Sequence, residues 1–320
     1  MTEPHHEGPE FVIGVDGGGT STSAWLARFD GTVVGRGKAG PSNAKAVGLA
    51  AARAALDEAI AGAFADAGAP RSTVRAACLG VAGFDRPEDR AVLESWSSES
   101  GWAAELILVN DGDLVVAAGT PDGWGVGVIS GTGSIAVGRA RDGRKSRAGG
   151  WGYLMGDEGS AYDVVLSAFR LVARHFDGRE AGDTALESLT ASLCEALDVD
   201  APPGIVRAIY RPEFDRTRIA GLAPVVLEAA RRHPSLCERL LRPAGISLAD
   251  QAIAVAQALA FARGNLPLAI AGGFLLSAPE VVDALVERMS GSGFVARPNR
   301  VPEPARGAVV LANRHLGRPD

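Results

Sequence analysis

The stretch Phe11–Thr22, FVIGVDGGGTST, limits this chain more than any other. Consecutive glycines weaken a strand or helix unless the backbone must turn tightly or be approached closely. Phe11 to Val15 therefore reads as a strand delivering Asp16, and Gly17, Gly18, Gly19 and Thr20 as a bare turn running into further hydroxyls. Backbone N–H groups in such a turn suit phosphate oxygens, and an acid beside them suits a hydrated Mg2+. An ordinary hairpin turn would use the same residues. What separates the two readings is an echo: Gly125–Ala136, GVGVISGTGSIA, is again an apolar run, a Gly-Thr-Gly turn and an apolar run.

A chain of 320 residues with 47% hydrophobic content can bury two domain cores. Its net charge of −6 offers no basic face for nucleic acid or an anionic membrane. Lysine is confined to Lys38, Lys45 and Lys145, so a phosphate site must rely on backbone amides, arginine or metal. Cys78, Cys194 and Cys237 are odd in number and lack metal-ligand spacing, which suits buried thiols in a reducing cytosol. The first ten residues, MTEPHHEGPE, have neither the basic region nor the apolar core of a signal peptide. They are expected to form a disordered tail. No apolar run approaches the ~18–20 residues of a membrane span. A cytoplasmic protein without membrane or nucleic-acid partners is the expectation.

Strands are expected at Phe11–Val15, Ser23–Phe29 and Thr32–Arg36, the last two joined at Asp30-Gly31. A polar loop, Gly37–Asn43, leads into an Ala-rich helix ending near Gly68. Val74–Ala82 reads as a buried strand, Glu88–Ser98 as a helix after Pro87, and Glu105–Val109 as a strand delivering Asn110 and Asp111. The second unit repeats the opening from Gly125, with a hairpin at Arg141–Gly143 and a glycine-rich loop, Ala148–Ser160. Residues 161–261 read as mostly helical, with breaks at Ala201–Gly204 and Arg242–Ile246. Leu266–Ala271 is a late strand ending in Gly272-Gly273. A helix at Pro279–Met289, a strand at Phe294–Arg297 and a helix at Gly307–His315 follow. The shared opening order predicts a duplicated α/β fold with mixed sheets, helical insertions in the second half, and a ligand cleft between domains. The expected domains span residues 11–114 and 115–304.

Asp111, just past the carboxyl end of a predicted strand, stands where α/β sheets place ligands. As a base it would suit an alcohol acceptor in phosphoryl transfer, which needs positioning more than base strength. It would equally serve as a helix N-cap, and Asp113 competes with it. Gly149–Ser160 combines Gly150, Trp151, Tyr153, Asp157 and Glu158, a mixture of aromatic and acid that suits a sugar, although such a loop could also cap the following helix. Asn43 could be only an Asx turn. Paired glycines at Gly272-Gly273 would let a base or ribose approach. Neither a dinucleotide GxGxxG after Asp16 nor a GxxxxGK[ST] occurs, so neither of those phosphate grips is available.

Taken together, the segments resemble the N-acetylglucosamine kinase family, in the sugar-kinase branch of the actin-like (ribonuclease H-like) ATPase superfamily. The matching pieces are Asp16–Thr20, Pro41–Asn43, Leu79–Asp85, Val109–Asp111, Ile129–Ser134, Gly149–Tyr162 and Ala271–Phe274, in order over nearly the whole chain. The resemblance implies ATP and Mg2+. It implies a first phosphate loop at Gly17, Gly18, Gly19 and Thr20, with Asp16 holding the metal through water. It implies a second phosphate loop at Gly131, Thr132, Gly133 and Ser134, and an adenosine turn at Gly272-Gly273. Asp111 would orient the sugar 6-hydroxyl, while Asn43, Gly150 and Asp157 hydrogen-bond the sugar with Trp151 beside them. A final helix, residues 305–320, would return to the first domain, and a homodimer is one assembly the fold allows. Animal members carry an aromatic residue near the Asn43 loop where Ala44-Lys45 stand here, which leaves the 2-substituent open: acetamido, free amino or neither. Glucosamine kinase is therefore an alternative. A dehydratase-activator ATPase is a lesser one, since it needs bridging cysteines near the second glycine turn. A sugar-sensing repressor would need a DNA-binding segment that ten residues before the first strand cannot supply.

Overall fold

The computed structural model describes residues 11–81 and 87–317. The expected tail, residues 1–10, and the Ala82–Asp85 part of the LGVAGFD stretch lie outside the described residues. The chain divides into two compact units, one of residues up to Gly123 with Glu303 onward, the other Trp124–Pro302.

The first unit runs β1 (Phe11–Gly17), β2 (Thr22–Arg28), β3 (Val33–Ala39), α1 (Ala44–Val47), α2 (Leu49–Asp66), β4 (Ala76–Val81), α3 (Pro87–Ser100), β5 (Leu106–Val109) and α4 (Asp111–Gly119). Its sheet is ordered β3-β2-β1-β4-β5. β1 and β2 pair antiparallel, as do β2 and β3, whereas β1–β4 and β4–β5 are parallel. β1 is two residues longer than the apolar run suggests. Asp16 and Gly17 remain in the ladder, opposite Ser23 and Thr22 on one side and Gly80 and Val81 on the other.

Period-2 alternation gives the sheet two apolar faces. Ile13 and Val15 pack in one core with Leu56, Ile60 and Phe64 of α2. Val12, Trp25 and Ala27 pack in another with Leu114 of α4. Each such large side chain contributes about 1.5–3 kcal/mol by leaving water.

The second unit runs β6 (Gly125–Ser130), β7 (Ser134–Arg139), β8 (Lys145–Gly149), α5 (Ala161–Phe176), α6 (Thr184–Ala196), α7 (Pro202–Ile209), α8 (Arg216–Ala220), α9 (Ala223–Arg232), α10 (Pro234–Leu236), α11 (Arg242–Ala258), β9 (Gly264–Asn265), β10 (Leu268–Ala271), α12 (Gly273–Ser277), α13 (Pro279–Gly291), β11 (Phe294–Val295) and β12 (Pro298–Arg300). Its main sheet, β8-β7-β6-β10-β12, has the connectivity and strand directions of the first. The duplication expected from the two glycine turns is present, with α5–α11 inserted after the third strand of the repeat. One continuous core joins Val126 and Val128 of β6 to Val164 and Val165 of α5 and to Ala252, Ile253 and Val255 of α11.

The last helix, α14 (Ala305–His315), belongs to the first unit. Ala305, Ala308, Val309 and Ala312 bury against Val12, Trp25 and Leu114. Two glycines permit this close approach. A Cβ on Gly14 would overlap the backbone of Ala305 and Val309, and one on Gly307 would overlap the carbonyl of Leu114. The same packing holds α4 in the first unit, so the domain boundary expected at residue 114 falls inside a helix.

Three local expectations differ. Arg242–Ile246 is not a break, because a π-helical turn, Cys237–Leu241, leads directly into α11. Pro243 sits in the first turn of that helix, just after the π-helical turn. Gly245 is there because a Cβ would strike the Val281 carbonyl of α13. The Ala201–Gly204 break likewise lies earlier, since Pro202 opens α7. Finally, Phe294–Arg297 is not the last sheet strand. β11 pairs with β9 in a separate two-stranded sheet, and the edge strand is β12. Its Pro298 is an acceptable first residue of an edge strand.

Candidate functional site

In the first unit the parallel strands β1 and β5 bring two acids to one end of the sheet. Asp16 closes β1, and Asp111 is the first residue of α4, immediately after β5. The N-cap of α4 is Asn110, whose Oδ1 accepts the Gly112 N–H at 3.1 Å. Asp113 completes a capping box by accepting the Asn110 N–H at 3.3 Å. The capping role weighed for Asp111 is thus taken by Asn110, and the carboxylate of Asp113 is committed to that cap. Asp111 accepts its neighbour Gly112's N–H at 2.9 Å.

Burial raises the Asp16 carboxyl from its ordinary 3.8 to about 7, with the negative charges of Asp111 and then Glu303 adding to it. Both charges that act on Asp16 have its own sign. A cation near Asp16 would offset these like charges. Among the described residues no three acidic, histidine or cysteine groups are close enough together to cage a metal.

The turn between β1 and β2 is closed by a Gly18 N–H bond to the Ser21 carbonyl at 2.9 Å. Its glycines serve different ends, and none has a positive φ. A Cβ on Gly17 would overlap Ser42 Oγ, so that glycine admits the Pro41–Asn43 loop, which is also tied by a Ser42 N–H bond to the Gly18 carbonyl at 3.1 Å. A Cβ on Gly19 would meet no atom of the described residues within 4 Å. Gly19 and Thr20 are exposed, and no described protein group accepts their N–H. Asn43 caps α1, accepting the Lys45 N–H at 3.1 Å. The Asx turn is therefore present, and Nδ2 is the end of that side chain left to meet a ligand.

The second unit gathers its candidates on the β6–β7 turn. Ser130 Oγ donates to the Gly159 carbonyl at 2.8 Å, and the Ala161 N–H donates to the Gly131 carbonyl at 2.9 Å. Ser134 donates its N–H to Asp157 Oδ1 at 3.1 Å and its hydroxyl to the Glu158 carbonyl at 2.7 Å. Both donors of Ser134 are thus spent inside the protein, and the Gly131 N–H closes the turn on the Gly133 carbonyl. Thr132 and Gly133 retain N–H groups with no protein acceptor among the described residues.

Asp157 is only 4% exposed and adopts φ 63°, an uncommon conformation for a residue with a side chain. Its Oδ2 receives Arg216 Nη2 at 2.7 Å. Gly150, at φ 69°, donates its N–H to the Ser134 carbonyl at 3.0 Å. Trp151 is 67% exposed, with the Arg147 guanidinium 5.9 Å from its ring centre. Gly272, at φ 94°, lies against Ser130, where a Cβ would overlap the backbone, whereas a Cβ on Gly273 would meet nothing.

Within each unit, then, the residues read from the sequence converge. Asp16, Gly17–Thr20, Asn43 and Asp111 share one end of the first sheet. Gly150, Asp157 and Gly272 lie against the Gly131–Ser134 turn of the second. Two residues escaped the sequence reading. Glu303 stands just before α14 and has no motif around it. Arg216 is 59 residues from its partner Asp157, in an inserted helix. A surface hollow lined by Val282, Glu287 and Arg297 contains none of the candidates.

The family model described as the BadF/BadG/BcrA/BcrD ATPase family matches residues 13–312. An N-acetylmuramic acid/N-acetylglucosamine kinase of Clostridium acetobutylicum is 33% identical over 266 residues, 83% of this chain and 86% of that protein. An N-acetyl-D-glucosamine kinase of Dictyostelium discoideum is 30% identical over 315 residues, 95% of this chain and 98% of that protein. A solved structure from Chromobacterium violaceum, named as a candidate N-acetylglucosamine kinase, superposes with TM-score 0.72 at 31% identity, covering 95% of this chain and 99% of that one.

Proposed function

The chain belongs to the BadF/BadG/BcrA/BcrD ATPase family, and we propose that it is an ATP-dependent kinase that phosphorylates the 6-hydroxyl of N-acetylglucosamine. The observation that carries this reading is Asp111, relieved of the helix cap by Asn110 and Asp113 at the sheet end that also holds Asp16. The sugar identity is supported by curated kinases of N-acetylglucosamine at 30–33% identity over most of the chain.

In the reaction the sugar O6 attacks the γ-phosphorus, and its proton passes to the Asp111 carboxylate. The bond from phosphorus to the β–γ bridging oxygen breaks, and ADP leaves. Phosphoryl transfer of this kind depends on positioning and charge neutralisation more than on base strength. The N–H groups of Gly19, Thr20, Thr132 and Gly133 would be uncharged donors for phosphate oxygens. Gly273 leaves backbone open for the nucleoside. Asp16 would hold Mg2+ through water, and the metal neutralises charge on the phosphates when bound. Ionised Asp16 and Mg2+ binding are linked, because the cation offsets the burial and like-charge repulsion that favour its protonated form.

Asn43 Nδ2, the Gly150 carbonyl and Trp151 would contact the sugar, while Asp157, expected from the resemblance to bond the sugar as well, is buried with its carboxylate oxygens accepting from Ser134 and Arg216 and would instead hold the loop in place. The reading carries with it a cytoplasmic location and small molecules as ligands, and is compatible with a homodimer. Among the described residues no helix is long and apolar enough to cross a membrane. The test is ADP release measured across N-acetylglucosamine, glucosamine, N-acetylmannosamine, muramic acid and glucose. N-acetylglucosamine should give the highest kcat/KM. A preference for glucosamine would move the substrate to the free amine, and equal silence across the panel would move the function to a dehydratase-activator type of ATPase.

A further inference from the structure

Arg216 lies outside every motif, yet it stands against the second glycine turn. Its Nη2 donates to Asp157 Oδ2 at 2.7 Å, and its guanidinium carbon is 5.6 Å from the centre of the Tyr153 ring. A Cβ on Gly133 would overlap the same Nη2. Gly133 has no positive φ, so the backbone conformation does not demand glycine there. The space beside it is filled by the Arg216 guanidinium and the Asp157 carboxyl. The guanidinium therefore sits directly on a residue whose N–H has no acceptor among the described residues.

A guanidinium carries five N–H donors. Among the described residues Asp157 is the one hydrogen-bonding partner of Arg216, and its Nε is buried without a partner. The side chain keeps 33% exposure, so the remaining fork faces open space beside the turn. A strongly charged donor set, mostly unspent, next to free backbone N–H groups forms an anion site. No lysine is available for this work, since Lys38, Lys45 and Lys145 all lie outside the glycine turns.

We propose that Arg216 contacts the γ-phosphoryl group of the nucleotide and stabilises the charge on it during transfer. The γ-phosphoryl is favoured over the α- or β-phosphate by what Arg216 holds. Its Asp157 partner belongs to the loop carrying Gly150 and Trp151, so one guanidinium ties the sugar loop to the phosphate turn. The group that travels between nucleotide and sugar is the one expected at that junction. This inference rests on the kinase reading of the same turn.

The test compares Arg216→Gln and Arg216→Lys with the wild-type chain in two measurements. The first is the dissociation constants of ATP and of ADP, each with Mg2+, by calorimetry. The second is turnover. Arg216→Gln should lower kcat by about 10²–10³, as loss of one transition-state donor does. It should weaken ATP binding about tenfold or more while leaving ADP binding within about threefold. Arg216→Lys keeps a charge beside Asp157 and loses the fork. It should fall between wild type and Arg216→Gln, and it serves on its own if the Gln variant fails to fold. Guanidinium ion added to Arg216→Ala should restore part of the rate. Equal weakening of ATP and ADP would mark Arg216 as a structural prop and overturn the assignment, as would wild-type turnover in the variants. The ATP-to-ADP ratio is read without sugar. A wild-type chain that phosphorylates no sugar would therefore defeat the kinase reading while still leaving Arg216 tested.

Discussion

Replacing Asp16 with Asn should stabilise the metal-free protein at pH 8 while abolishing its activity. In the folded chain burial, Asp111 and Glu303 raise this carboxyl from 3.8 to about 7. Between those two values the folded state binds a proton that the unfolded state has lost, so stability falls as pH rises. The penalty is absent below about 3.8 and complete above about 7. Each pH unit of that interval corresponds to about 1.4 kcal/mol, so the ceiling at pH 8 is about 4 kcal/mol. Water reaching the partly exposed site will lower the realised gain. Asn is near in shape and carries no charge, so it removes the penalty with little loss of packing. The assay is the melting temperature of both proteins in EDTA from pH 5 to pH 8. Asp16→Asn should lead by several degrees at pH 8, with the lead shrinking steadily towards pH 5. Saturating Mg2+ with nucleotide should narrow the gap by stabilising the wild type. An Asn variant that is no more stable at pH 8, or a lead that grows as pH falls, would refute the buried-carboxylate account.

Asp111→Asn should fold, bind ATP and lose about 10²–10⁴ of its kcat, the range for removing a general base, read by ADP release. Gly14→Ala pushes a methyl into the backbone of α14 and should cost about 1–3 kcal/mol or more in denaturant unfolding. Asp157→Ala should be less stable than Asp157→Asn by about 1–2 kcal/mol, because Asn tolerates the left-handed backbone at this position and Ala does not. Trp151→Ala should leave the melting temperature unchanged, since the ring is largely exposed. If that ring stacks on the sugar, the variant should raise the sugar KM about three- to tenfold.

The glycine turns were legible because their chemistry is local. Asp16–Thr20 and Gly131–Ser134 announce a bend and a bare backbone within a few residues, and their repetition predicted two sheets of one topology. The individual glycines proved to have separate causes. Gly17 admits a neighbouring loop, Gly133 admits an arginine, and Gly19 and Gly273 face no atom of the described residues within 4 Å. Sequence spacing cannot distinguish these. Pro243 and Gly245 misled for a related reason. Both are helix breakers by local propensity, but one occupies a first helical turn and the other a helix crossing. Arg216 and Glu303 were illegible because each reaches its partners only through tertiary folding, with no periodicity or motif to mark it. The Asn110–Asp113 capping box shows the intermediate case. Its residues were in plain view, and only the geometry separated the capping pair Asn110 and Asp113 from Asp111.

The most direct test of the central claim is the product itself. The wild-type chain is incubated with ATP, Mg2+ and N-acetylglucosamine, and the sugar is examined by phosphorus–proton correlation NMR. The account predicts a phosphate coupled to the two C6 protons, formed in step with ADP and missing with Asp111→Asn. ADP formed with no phosphosugar, or phosphate coupled to any other position, would contradict it.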